Sequence, residues 1–298
     1  MGIGMYIKEI GRGREGARSL SRAQAADLFG QVLDGSVSDL EIGAFCLAMR
    51  IKGETPEEMA GFLDATGHRL NRIPNHGRPV VVLPSYNGSR KLPVLTPLLA
   101  LLLAREGLPV VLHGTPTEST RVSAEKVLLA LGVHAQTAIE SIADGSVQWV
   151  PTGLLCPGLQ RLLEVRRVVG LRNPGHSLVK LMNPCRADAM VVSSYTHPEY
   201  AQSMSATLSL VGARALLLRG TEGEPVADAR RTPAMDAIEA GRITRVQDAQ
   251  EGPLAQVPGL PVPEAEATAH WIAEVMAGRQ PIPSPIALQA AHLVKLLK

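Results

Sequence analysis

Between Gly153 and Ala187 the charged residues are Arg161, Arg166, Arg167, Arg172, Lys180 and Arg186 against a single acid, Glu164. Side chains of this kind neutralise phosphate oxygens without reading bases, so the block points to non-specific, salt-sensitive binding of nucleic acid. A solvated helix face whose arginines pair with acids elsewhere is the plainer account. Arg161 and Arg167 lie six residues apart and share no helical stripe, and the adjacent Arg166 and Arg167 diverge. A second stretch with chemistry is Ser85-Tyr86-Asn87-Gly88-Ser89-Arg90-Lys91. It follows an apolar run, where open α/β sheets bind ligands at the carboxyl end of a strand. Glu222 and Glu224 flank Gly223; they are turn residues, partners for an arginine, or a pair of oxygen ligands for a hard cation. Nucleophilic catalysis finds no support: the hydroxyls of 115–120 have no neighbouring base, and no Gly-x-Ser-x-Gly elbow exists. Gly11-Arg12-Gly13 is no dinucleotide fingerprint, because no strand precedes it.

The elements that must carry these residues are legible from periodicity. The β-branched run 80–83 reads as a buried strand, 93–105 as a helix apolar nearly all round, and 109–112 as a second buried strand. Sequential parallel strands require such a crossover helix. Upstream, Ser21 caps a helix to about Leu33, Ser38 or Asp39 opens another, and Thr55-Pro56-Glu57-Glu58 is a capping box for a third. A basic lead-in (Lys8, Arg12, Arg14, Arg18 and Arg22) precedes them as a solvated segment. Downstream, helices are predicted over 121–131, 138–143, 157–169, 174–182, 198–211, 264–277 and 286–297. Strands are predicted over 147–150, 187–193 and 213–218, with antiparallel pieces near 243–246. Alternating β and α elements behind a helical start argue an α/β protein with a smaller helical subdomain.

At 298 residues and 45% apolar, the chain holds one large or two unequal domains with a sizeable core. No apolar run reaches membrane-spanning length, and the first residues lack the apolar region of a signal peptide. Cys46, Cys156 and Cys185 have no metal-ligand spacing. A cytoplasmic protein without cofactor, metal or membrane partner is expected. The net charge is only +2, so nucleic-acid affinity must come from uneven charge. Aromatics at 3% argue against a base-stacking platform.

With 35–61, the unit 80–114 resembles the anthranilate phosphoribosyltransferase family (glycosyltransferase family 3). SYNGSRK at 85–91, HPEY at 197–200 and RGTEGE at 219–224 resemble its YbiB-like branch, which lacks the family's enzymatic signature and is linked to nucleic-acid binding. The likeness implies the nucleoside phosphorylase/phosphoribosyltransferase-like fold. That fold has a helical domain (1–72, completed by about 166–184) and an α/β domain (73–298, interrupted by the same segment) with a mostly parallel central sheet. It also implies a homodimer formed through the helical domain.

The family's diphosphate loop reads Gly-Thr-Gly-Gly-Asp-Gly, then Asn-x-Ser-Thr. Here only Gly88 and Thr96 match. Of Lys-His-Gly-Asn-Arg, His113 and Gly114 survive, and Pro225-Val226 replaces the magnesium-holding Asp-Glu pair. Arg166 falls where the family keeps an arginine for the anthranilate carboxylate. Ser85, Asn87, Gly88, Thr96, His113, Gly114, Glu222 and Glu224 are then the remnant of a substrate site. Arg90 and Lys91 are expected to open toward the same inter-domain cleft as Arg161, Arg166, Arg167, Arg172, Lys180 and Arg186, and these together are expected to bind nucleic acid, single-stranded DNA above all. The rival is a transferase with altered substrates, Arg166 holding an acid and Glu222 or Glu224 holding magnesium.

Overall fold

The computed structural model describes residues 2–13, 15–75 and 78–297. Four helices come first: α1 (Gly4–Ile10), α2 (Arg22–Asp34), α3 (Asp39–Lys52) and α4 (Pro56–Gly67). The last three open on complete capping boxes, Ser21 with Gln24, Ser38 with Glu41 and Thr55 with Glu58, each satisfying two orphan N–H groups. Stacked and edge-on contacts among Phe29, Phe45 and Phe62 fill their centre. A Cβ on Gly61 would lie 2.3 Å from the Arg22 carbonyl, so only glycine lets α4 approach α2 so closely. The α1 helix corrects the expected solvated lead-in, because Ile3 and Ile10 are buried. Seven residues are too few for periodicity to announce a helix; burial of its apolar face stabilises it. Arg12 pairs with Glu9 and Arg22 with Asp64, and Arg14 lies outside the described residues.

The sheet has parallel strands β1 (Val80–Pro84), β2 (Val110–Gly114), β3 (Val147–Pro151), β4 (Ala189–Tyr195) and β5 (Ala215–Arg219), then antiparallel β6 (Met235–Glu239) and β7 (Arg242–Gln247). The order is β3-β2-β1-β4-β5-β6-β7, so the chain steps outward from β1, then returns to β1's other side with β4. That reversal opens a crevice at the carboxyl ends of β1 and β4, the place where such sheets bind ligands.

Alternate strand residues feed two cores. Val81, Leu83, Val110, Leu112, Leu216 and Leu218 face α5 (Thr96–Arg105), α6 (Ala124–Ala130) and the last helices, α11 (Ala265–Met276) and α12 (Ser284–Leu297). Val80, Val82, Val111, Val191 and Leu217 share a core with the N-terminal helices. Also in that core are residues of α7 (Thr152–Leu155), α8 (Pro157–Val169), α9 (Gly175–Leu178) and α10 (Pro198–Leu210). A Cβ on Gly158 would meet the Leu33 carbonyl at 2.0 Å, which presses the start of α8 onto the end of α2.

The segment 138–143 forms no helix. The Ile142 N–H turns instead to the Pro74 carbonyl at 3.3 Å, in an isolated bridge with Asn75. The helix expected over 174–182 closes after one turn, Gly175–Leu178. Among the described residues no helix is long and apolar enough to cross a membrane.

Candidate anion-binding site

Two loops meet at the crevice, residues 85–92 after β1 and residues 220–226 after β5. The first presents a run of backbone N–H groups, turned inward where Gly88 takes φ +60°; such a run forms an anion nest. The nest is filled by the chain itself. Glu224 accepts from the Asn87 N–H at 3.0 Å, the Gly88 N–H at 2.8 Å, the Thr96 hydroxyl at 3.1 Å and the Ser85 hydroxyl. Glu222 accepts from the Ser89 hydroxyl at 2.6 Å and from the N–H groups of Lys91 at 2.8 Å, Leu92 at 3.0 Å and Arg90 at 3.1 Å.

Burial works against the Glu222 charge, yet the Ser89 hydroxyl and the Lys91, Arg90 and Leu92 N–H groups hold its carboxyl below the usual range. Glu222 adopts φ 51°, a left-handed conformation costing a non-glycine residue about 1–3 kcal/mol, and its charge-assisted hydrogen bonds offset that strain. Gly223 must be glycine: φ is +90° and a Cβ would lie 1.9 Å from Asn87 Nδ2. Asn87 Nδ2 donates to the Glu222 carbonyl at 3.0 Å, tying the loops again. Gly114 lets β2 run close under the loop, where a Cβ would stand 1.9 Å from the Ser85 carbonyl.

Tyr86 turns inward rather than into the nest. Thr152 donates to its hydroxyl at 3.0 Å, which donates in turn to His113 Nδ1 at 2.8 Å. Complete burial pushes the His113 pKa down to about 3, so the ring is neutral with its proton on Nε2, which has no partner among the described residues. This histidine orients Tyr86 from beneath the loop.

Beside the nest three guanidiniums converge on Glu118, which lies in the loop between β2 and α6. Arg166 Nη2 is 2.8 Å and Arg172 Nη2 3.2 Å from its Oε1, and Arg121 Nε is 3.1 Å from its Oε2. Burial alone would raise the Glu118 pKa; the hydrogen bond and charge of Arg166, with Arg121 and Arg172, overcome it and hold the carboxyl at about 2. Arg172 is itself pushed down by burial and by the neighbouring Arg166. His176 is held at about 4 by burial, then by Arg172 and Arg166. Arg121 also reaches Glu222 Oε2 at 3.5 Å, so loop 85–92, Arg121 and the arginines of α8 and its following turn form one polar strip. The cavity between Asn87, Thr117, Glu118 and Trp149 is about 10 Å³, room for roughly one water.

Of the predicted cations, the structure brings Arg166 and Arg172 together and sets Arg90 and Lys91, both exposed, on the loop that holds Glu222. Arg167 is exposed on the next position of α8. Three others serve elsewhere. Arg161 donates to the Leu33 carbonyl at 2.9 Å and closes the end of α2. Lys180, pushed down to about 8 by burial, sits beneath the nest and donates to the Gly223 carbonyl at 3.0 Å. Arg186 precedes β4, at the amino end of the sheet, away from the loops.

The sequence reading missed Glu118 and Arg121. Their i,i+3 spacing within 115–121 was the available signal. Magnesium, implied only for a working transferase, does not fit here: the Glu222 and Glu224 oxygens already accept from N–H and O–H donors, which would face a cation with their positive ends. Among the described residues no three His, Cys, Asp or Glu side chains converge as a metal site.

A family model described as a glycosyl transferase family helical bundle domain matches residues 5–66. The chain is 40% identical to an uncharacterized protein, YbiB, of Escherichia coli, over 96% of this chain and 91% of that one. It is 29% identical to an anthranilate phosphoribosyltransferase of Desulfosudis oleivorans, over 79% of this chain and 68% of that one. Its fold is similar to the crystal structure of the Thermus thermophilus anthranilate phosphoribosyltransferase, with a TM-score of 0.76 and 24% identity, covering 95% and 86% of the two chains. The Saccharomyces cerevisiae enzyme in complex with PRPP and Mg superposes with a TM-score of 0.72 at 14% identity, covering 99% of this chain and 88% of that one.

Proposed function

The chain belongs to the YbiB-like branch of the anthranilate phosphoribosyltransferase family, and from that premise we propose that it binds nucleic acid non-specifically through phosphate contacts and does not transfer a phosphoribosyl group. One observation carries this reading: the donors of loop 85–92 that would cradle a diphosphate are spent on Glu222 and Glu224. With the nest filled from within, the outward cations Arg90, Lys91 and Arg167 remain to meet phosphates from outside, and the Arg121–Arg166–Arg172 cluster joins them where a phosphate displaces Glu118.

Anisotropy of a labelled single-stranded oligonucleotide at 50 and 200 mM salt tests this. Affinity is expected to fall steeply, by about a hundredfold or more for a handful of phosphate contacts. The Arg166→Ala/Arg167→Ala double variant weakens binding alike for every sequence. Absence of binding at low salt sinks the proposal.

The relatives named anthranilate phosphoribosyltransferase support a second reading, a transferase of altered substrate. It requires Glu222 and Glu224 to leave the nest and Glu118 to leave Arg166. Calorimetry with phosphoribosyl pyrophosphate and magnesium distinguishes it, since a tight metal-dependent complex belongs to that reading alone.

The proposed assembly is a homodimer through the helical domain. Leu40, Leu47 and Ile51 of α3 are exposed along one stripe, at spacings of seven and four, beside a groove lined by Ile7, Ala44 and Ala48. Burying a stripe of this kind favours self-association. Sedimentation velocity is expected to give a dimer for the wild type and a monomer for Leu40→Glu/Leu47→Glu. A monomeric wild type removes the dimer from the account.

A further inference from the structure

We infer that Arg121, Arg166 and Arg172 form a seat for a phosphomonoester dianion, which Glu118 fills as a resident carboxylate until that ligand displaces it. The inference extends the nucleic-acid reading by naming which phosphate is preferred, a terminal one rather than those along the strand.

With Glu118 withdrawn, the acid left paired to the three guanidiniums among the described residues is Glu222, through the 3.5 Å approach of Arg121. The excess of two positive charges is cancelled by a phosphomonoester, which carries close to −2 at neutral pH, and only half cancelled by a phosphodiester. A carboxylate offers two oxygens to three forked guanidiniums, and Arg166 Nη1 is left buried without a partner among the described residues. The three terminal oxygens of a phosphomonoester match a three-arginine cluster better, each able to accept from more than one N–H.

Glu118 stands in a loop segment, its ion pairs are to these three arginines alone among the described residues, and its side chain is 23% exposed. Rotation of one side chain therefore vacates the seat. The neighbouring nest cannot compete for the same ligand, because its N–H groups hold Glu222 and Glu224.

The test uses inorganic phosphate and two oligonucleotides of one sequence, 5′-phosphorylated and 5′-hydroxyl, on the full chain. Glu118→Gln keeps the side chain's shape and removes the competing charge. By calorimetry it is expected to bind inorganic phosphate about tenfold tighter than the wild type. It is also expected to prefer the 5′-phosphorylated oligonucleotide by a similar factor, with Arg166→Ala/Arg172→Ala abolishing both effects. Equal phosphate affinity in wild type and Glu118→Gln, or an end preference that survives loss of the two arginines, overturns the seat.

If neither oligonucleotide binds but phosphate does, the seat stands with a small phosphomonoester as its ligand, and the nucleic-acid reading falls. If both oligonucleotides bind equally and phosphate affinity is unchanged, the seat falls and that reading stands. Should Glu118→Gln fold poorly, thermal melting of the wild type decides: its midpoint rises in phosphate over chloride at matched ionic strength, and Arg166→Ala/Arg172→Ala loses the rise. No difference between the two anions counts against the seat.

Discussion

Glu224→Ala is expected to destabilise the protein by roughly 3–5 kcal/mol, lowering its melting midpoint by about 6 °C or more. The carboxylate is 1% exposed and accepts from two N–H groups and two hydroxyls. Removing it leaves four buried donors facing a cavity, and each unsatisfied donor costs about 1–3 kcal/mol before water enters to relieve part of the loss. Lys180, beneath the nest, loses its compensating negative charge as well. The vacated space matches a single carboxylate in size and polarity, so formate or acetate should restore the midpoint of Glu224→Ala far more than they raise that of the wild type. A loss no greater than the about 0.5 kcal/mol typical of surface replacements, with no rescue by either anion, means that Glu224 does not hold the loop.

Acid should destabilise the fold between pH 6.5 and 5 through its buried histidines. The His113 pKa is about 3 in the folded chain, against about 6.5 when unfolded. The sign follows: the unfolded chain takes up the proton first, so the stabilisation is complete above pH 6.5 and declines as pH falls toward 3. His176, at about 4, acts in the same direction. Each contributes a slope of about 1.4 kcal/mol per pH unit once the unfolded ring is protonated. Glu118, folded at about 2, belongs to a separate window, losing its contribution only as pH falls from about 4.5 toward 2. Urea denaturation between pH 6 and 5 is expected to show a wild-type slope steeper than that of His113→Asn, whose amide oxygen can still accept from Tyr86, by about 1 kcal/mol per pH unit. Equal slopes in the two proteins are incompatible with a buried neutral His113.

The helical start and the parallel sheet were readable because local rules decide them. Ser21, Ser38 and Thr55 announce their helices by capping chemistry, and 80–83 and 109–112 announce strands by continuous β-branched and apolar burial. Failures came where a partner distant in sequence decided. Ile142 traded a helix for a bridge to Asn75, and α1 exists because Ile3 and Ile10 are covered.

The site divides the same way. Glu222 and Glu224 stood out as carboxylates, but their partners are mainly backbone N–H groups, which carry no letter in a sequence. Arg166 and Arg172 are separated by Gly170, whose left-handed cap ends α8, so helical periodicity could not relate them. Glu118 lies 48 residues before Arg166, and only the packing of the β2–α6 loop against α8 brings it there.

The loop at 85–92 is fastened by carboxylates that appear 130 or more residues later, after the fifth strand. A growing polypeptide therefore carries an unclosed crown of amides through most of its synthesis, and that crown shuts only when the chain following β5 arrives. Completion of the crevice is thus a late step in maturation, and a fragment ending before Thr221 could lay down all five parallel strands and still lack the latch.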